Sequence, residues 1–253
     1  MSAAAQAKAV FDARAHFLEG ARAAQAALPE ASGGLAALRA AGLAALETAS
    51  WPTPKTESWK YSRLTKLLEP AFLVPPAAPP ESFSAVLPEG VTLRPLSRLD
   101  AVPEDLALSG DAFDALNAAL APDVYELVVA PGVAVPEPLK LEWLQQGSSQ
   151  SLRFALRLGA GSQLTLVEQQ SGEAKAFFNV VGKITLEAGA QLRHRRLHMA
   201  AGPGRWLAQH AVQVGPGRTT IYCSPNGVRL SGATSSPSTS WAPGPPLPCR
   251  VLP

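Results

Sequence analysis

Apolar residues recur at helical spacing in the first third of the chain and at strand spacing in its second half. From Ala3 to Ala27 strong helix formers dominate, and Val10, Phe11, Phe17, Leu18 and Leu28 make a broken apolar stripe. Pro29 ends this helix. Ser32 is placed to cap a second one carrying Leu35, Leu38, Leu43 and Leu46, which Pro52 stops. Thr53 and Pro54 suit the cap and first position of a third helix, where proline's missing N–H costs nothing. That helix carries Trp59, Tyr61, Leu64, Leu67 and Leu68, so a helical domain is expected over 1–70.

Residues 71–122 read as a connector. The run from Val74 to Pro80 is too rich in proline for a helix or a central strand and is expected to be extended. Asp111 to Leu120 is a short amphipathic helix with Phe113, Leu116 and Leu120 on one side. Over 123–222 the period changes to two. Short strands are expected at Val124–Val129, Leu139–Trp143, Leu152–Leu158, Gln163–Val167, Phe177–Val181, Lys183–Leu186 and Gln191–Leu197.

The strand region repeats. Leu158-Gly-Ala-Gly161-Ser-Gln-Leu164 aligns with Leu186-Glu-Ala-Gly189-Ala-Gln-Leu192, and both align with Val214-Gly-Pro-Gly217-Arg-Thr-Thr220. The copies begin at 158, 186 and 214, a spacing of 28. One such unit cannot bury its own apolar face, but stacked units can. A β-helix with glycines at its corners is the favoured reading, and a β-sandwich with evenly spaced turns is the alternative. The expected class is therefore α+β: an N-terminal helical domain, then an incomplete parallel β-helix, then a disordered tail.

Composition narrows function by exclusion. The 253 residues are 47% apolar and 17% charged, a globular balance, and the net charge of +2 argues against a dedicated nucleic-acid binder. No apolar run is long enough for a membrane helix, and the N-terminus lacks the pattern of a secretory signal, so no membrane association and a cytoplasmic location are expected. Cys223 and Cys249 match neither a disulfide framework nor a zinc pattern.

Each candidate for chemistry has a plainer alternative. His194 and His198 share a face of a strand and could ligate a metal, but Arg195 and Arg196 add positive charge and no third ligand is evident. Wall histidines are the preferred reading, with no metal site assigned. Cys223 and Cys249 make a poor cluster site, since a cluster usually takes four thiolates. Glu168 and Asn179 are read as structural groups needing hydrogen-bond partners, with corner backbone as the candidate. Trp59 and Tyr61 read as helix anchors or as a contact surface. The Gly159-Ala-Gly161 and Gly215-Pro-Gly217 turns recur with the repeat and are corners rather than phosphate loops. A carbohydrate-active or carbohydrate-binding β-helix protein would use paired acids on one exposed sheet, yet Glu168, Glu173 and Glu187 are not at matching positions of the repeat. No catalytic residue is assigned.

Three segments together resemble one family. Pro52-Thr-Pro-Lys-Thr-Glu57-Ser-Trp59-Lys60-Tyr61-Ser-Arg-Leu64 is similar to the lead-in of the SufB/SufD family, on its SufD side. Phe113-Asp-Ala-Leu116-Asn117-Ala-Ala-Leu120 resembles the helix that follows it. Leu164-Thr-Leu-Val-Glu168, Phe178-Asn179-Val180 and Gly189-Ala-Gln-Leu192-Arg-His194 resemble its core motifs. The resemblance covers roughly 35–222. It implies a right-handed parallel β-helix and a non-catalytic scaffold subunit of the SufBCD iron–sulfur cluster assembly complex, with SufB-like and SufC-like partners. Iron or an iron–sulfur cluster is then handled by the complex rather than bound as this chain's own cofactor. Residue 222 ends the likeness. From Cys223 to Pro253 there is no Asp, Glu or Lys, and Pro and Ser crowd the segment. A shifted reading frame near codons 218–224 or a misplaced gene end is the expectation, with a natural disordered tail as the alternative. Either would impair the scaffold, because the family's partner-binding segments and its cluster-associated histidine lie toward that end.

Overall fold

The computed structural model describes residues 13–53, 55–56, 87–96, 100–103, 106, 108–146, 149–173, 177–198, 205–216, 220–223, 230–231 and 251–252. Two helices lead, α1 (Ala13–Gln25) and α2 (Gly33–Thr48), and α3 (Ala112–Leu120) precedes the strand-rich half. The fold is α+β, with helices first and then strands in parallel and mixed sheets. The helix expected beyond Pro54, with Trp59 and Tyr61, and the prolines of 74–80 fall outside the described residues.

Capping differs between the helices. Asp111 caps α3 fully: its Oδ1 accepts from the backbone N–H of Phe113 at 2.8 Å and of Asp114 at 3.3 Å. Ser32 occupies the cap position of α2 but makes no side-chain cap bond, contrary to the expectation from sequence. Thr53 does begin a turn, its hydroxyl accepting from the N–H of Lys55 at 3.3 Å. Where α2 meets α3, Gly42 faces Ala115, Ala118 and Ala119 so closely that a Cβ there would lie 2.5 Å from the Ala119 nitrogen. Small residues let the two backbones cross at that distance.

Strands alternate between two sheets. The first sheet runs β1 (Val91–Pro95), β2 (Val124–Val129), β4 (Gln150–Leu158), β6 (Phe177–Leu186), β8 (Arg205–Val214), and the second runs β3 (Leu139–Gln146), β5 (Gln163–Glu173), β7 (Gln191–His198), β9 (Thr220–Cys223). From β2 onward, neighbours within these two sheets are parallel, each strand pairing with one two places earlier. Among the described strands only β1 is antiparallel, on β2. It was not foreseen inside the connector; Pro95 is tolerated because an edge strand leaves one row of N–H groups unpaired. The β6 strand runs unbroken through Gly182, where two strands were expected.

The repeat is a structural register. Gln150 pairs with Phe178, Gln163 with Gln191 and Phe177 with Arg205, each 28 residues apart. Gly161 and Gly189 turn the chain at positive φ of 68° and 72°, as corner glycines were expected to. The ladder continues through those corners: the Gly161 N–H donates to Ala188 at 2.9 Å and the Gln191 N–H to Ser162 at 2.8 Å. The third copy departs. Leu192 lies opposite Ile221, not Thr220, an offset of 29. A slip of one residue exchanges the two faces of a strand, and this one sets Ile221 in register with Leu192.

Inward residues of both sheets form one apolar core, including Leu127, Leu141, Leu156, Leu166, Ile184 and Leu192. The helices cover the outside of the first sheet. Phe17, Trp51, Phe113 and Phe177 pack there, with Phe17 and Trp51 stacked at 4.5 Å. Two short strands, β10 (Leu230–Ser231) and β11 (Val251–Leu252), pair in parallel. Apart from these strands and Cys223 at the end of β9, the segment expected to be disordered lies outside the described residues.

Candidate functional site

Polar side chains interrupt the core at one level. In β5, Leu164, Leu166 and Glu168 point inward, and in β7 Leu192, His194 and Arg196 do, because side chains alternate along a strand. Arg195 therefore faces solvent while Arg196 is buried, so the two arginines do not act together on His194. His210 enters from the opposite sheet on β8. It stacks in register over Gly182, which in turn pairs with Phe154. The absent side chain at Gly182 makes the room: a Cβ there would overlap the His210 ring and lie 2.8 Å from Cζ of Phe154.

Four groups converge. Glu168 Oε1 lies 2.7 Å from His194 Nε2 and 2.9 Å from His210 Nε2. Arg196 Nη2 is 2.6 Å from His210 Nδ1, and its Nε is 3.4 Å from Glu168 Oε2. The two imidazole rings meet edge to face at 5.0 Å. Glu168, His194 and His210 are essentially inaccessible to solvent.

Electrostatics assigns the protons. Burial pushes the His210 imidazolium down to about 4; Arg196 adds to that, while Glu168 opposes it. His210 is thus neutral near pH 7. The network then assigns its tautomer: Arg196 Nη2–H donates to Nδ1, and Nε2–H donates to Glu168. Burial alone would raise the Glu168 carboxyl, but interaction and hydrogen bonding with His210 and His194 hold it well below the usual carboxylate range. With His210 neutral, its contribution is the donated hydrogen bond rather than a full charge. The fixed positive charge beside the Glu168 carboxylate is Arg196.

The sign for stability follows from these directions. An unfolded chain protonates His210 near 6.5, while the folded one resists until about 4. Stability is fully present above 6.5 and is lost as pH falls through that window. Glu168, depressed in the fold, adds a further loss below its ordinary 4.5. Between pH 7 and 5 the unfolding free energy should fall by about 2 kcal/mol, at about 1.4 kcal/mol per pH unit below 6.5. Urea midpoints at the two pH values test this, and a flat profile would contradict the buried neutral imidazole. Gly182→Ala should cost about 1–3 kcal/mol by overpacking, read in the same way. A neutral outcome would mean His210 is not held over Gly182.

A second buried cluster ties α3 to the first sheet. Arg153 Nη1 meets Asp114 Oδ1 at 2.5 Å, and Asp114 Oδ2 accepts from the N–H and hydroxyl of Ser109 at 2.6 and 2.7 Å. Asn117 donates to the carbonyls of Leu152 and Asn179 at 3.0 and 2.9 Å, and Asn179 donates to the Phe113 carbonyl at 2.8 Å. Burial would raise the Asp114 carboxyl, yet Arg153, Lys183 and Ser109 together hold it below its usual value.

Sequence reasoning paired His194 with His198; the structure pairs it with Glu168 and His210. The side chains of His198, Glu173 and Cys223, and all of Cys249, lie outside the described residues. Glu168 and Asn179 are buried and hydrogen-bonded as foreseen, although their partners are side chains and a helix carbonyl rather than corner backbone. Glu187 does bond corner backbone, accepting from Ala160 N–H at 3.1 Å. His210 was missed. The signal was present, because positions 154, 182 and 210 are successive members of the repeat. No protein-family model and no curated protein matches this sequence.

Proposed function

We propose that this chain is a non-catalytic scaffold subunit of a cytoplasmic iron–sulfur cluster assembly complex of the SufBCD type. In this reading the two alternating sheets are a right-handed parallel β-helix, and the outer helices are the family's N-terminal element. One observation carries it. The separate segments that resemble the SufB/SufD family bond to one another: Phe113 and Asn117 of the helix motif with Asn179 of one core motif, and Glu168 of another with His194 of a third. Motifs distant in sequence thus make a joint unit, as expected of shared structural determinants. Among the described residues no helix is long and apolar enough to cross a membrane, in keeping with an assembly away from the bilayer. Glu168, one of the acids a carbohydrate-active protein could offer, is fully buried and out of reach of a polysaccharide.

The test is co-expression of the full chain with SufB-like and SufC-like subunits from the same genome, followed by affinity capture and size exclusion. Co-elution in fixed stoichiometry is the expected result. A folded chain that elutes alone at every salt concentration would refute the assignment.

A further inference from the structure

The geometry points to a transition-metal site inside the two-sheet core, formed by Glu168, His194 and His210. Their ligand atoms all lie within 4.8 Å of one another. Two imidazole nitrogens face one carboxylate oxygen, at 2.7 and 2.9 Å. A metal of zinc size holds such ligands at about 2.0–2.2 Å, which in a tetrahedral site separates them by about 3.3 Å. The oxygen must therefore draw back from each nitrogen by about half an ångström, a distance that small side-chain rotations provide. Because β5 and β7 belong to one sheet and β8 to the other, the ion would join the two sheets.

One further observation favours a ligand. Glu168 Oε2 is buried without a hydrogen-bond partner, and its ion-pair contact with Arg196 Nε is long, at 3.4 Å. A buried acceptor left without a hydrogen bond costs about 1–3 kcal/mol, so a site that retains it needs an explanation. With an ion bound, the second carboxylate oxygen becomes an additional ligand. The donor set of two imidazoles and a carboxylate suits Zn²⁺, Co²⁺ or Fe²⁺, and is poorly suited to Ca²⁺ or Mg²⁺, which take oxygen.

Arg196 sets the affinity. Its Nη2 lies 3.0 Å from His210 Nε2, the atom that would bind the ion. A positive charge there opposes a second cation, so it holds binding weak and makes entry conditional on the guanidinium turning aside. Each imidazole keeps its single proton as the ion enters: the proton moves from Nε2 to Nδ1 and the freed Nε2 lone pair takes the metal, and at His210 that Nδ1–H then faces Arg196 Nη2, so the guanidinium must turn aside. The site does not depend on the scaffold assignment, since it rests on residues of this chain alone.

Chelator-treated full-length chain, titrated with Co²⁺ and followed by its visible ligand-field absorption, is the test. One Co²⁺ per chain is expected, displaced by Zn²⁺, with a rise in melting temperature. Arg196→Gln should bind at least tenfold tighter, and His194→Gln or His210→Gln should lose the spectrum. Circular dichroism shows which variants are folded, and Arg196→Gln keeps every ligand. If neither wild type nor folded Arg196→Gln takes up one equivalent of Co²⁺ or Zn²⁺, the site does not exist. Undiminished binding in both histidine variants would place the ion elsewhere and refute it equally.

Discussion

Asp114→Ala is expected to lower the free energy of unfolding by about 3–5 kcal/mol, the usual cost of removing one partner of a buried ion pair. Arg153 is wholly inaccessible in its side chain, and Asp114 nearly so. Removing the carboxylate leaves the guanidinium with the Leu106 carbonyl at 3.1 Å and the Asn117 side-chain oxygen at 3.3 Å, both neutral. It also removes the acceptor for Ser109 and the nearby anion, 3.7 Å away, that balances Lys183. Burial already presses Lys183 toward its neutral form, and the charge of Asp114 is the strongest influence opposing it. Urea unfolding measures the loss. The Asp114→Ala, Arg153→Met double variant should recover a substantial part of it, because no uncompensated charge then remains. A double variant as unstable as the single one would mean that the damage is to helix packing, not to charge balance.

Glu168→Ala should cost a similar amount, about 3–5 kcal/mol, in metal-free protein. Arg196 would lose its anion, and the two imidazole Nε2–H groups would lose their common acceptor. Glu168→Gln keeps the volume and one acceptor oxygen, so it should cost less, while its amide meets the same donors and cannot restore the charge. Denaturant midpoints for the two variants, taken together, separate cavity from charge. Equal losses would show that charge dominates; near-wild-type stability of Glu168→Gln would show that Arg196 is balanced by other groups.

Much of this architecture is written locally. The change from helical to strand period, the Gly161 and Gly189 corners and the spacing of 28 all follow from constraints within a few residues or from direct repetition. The limits of local reading show at β1, β8 and β9. Val91–Pro95 is a strand because β2 offers an edge. Arg205–Val214 alternates only partly, and its place is set by pairing with β6. The slip of one residue at β9 is seen only in its pairing with β7, which the turn sequence does not state.

The candidate site divides along the same line. Glu168 and Asn179 could be singled out from the chain, because polar residues within apolar strands must find partners when buried. Their partners could not. His194 and His198 are near in sequence and share a face of a strand, so a local argument joins them. The fold instead joins His194 to Glu168 through neighbouring strands of one sheet, and adds His210 across the core from the other. Asp114, Arg153 and Asn117 read individually as ordinary helix and strand residues; their burial arises only when α3 is laid on β4 and β6. By itself the sequence determined the succession of helices and strands, the repeat and its corners, since these depend on backbone preference and periodicity. Only the tertiary structure decided which buried polar groups meet, because partners 14 to 66 residues apart are matched by sheet register and helix docking rather than by nearness along the chain.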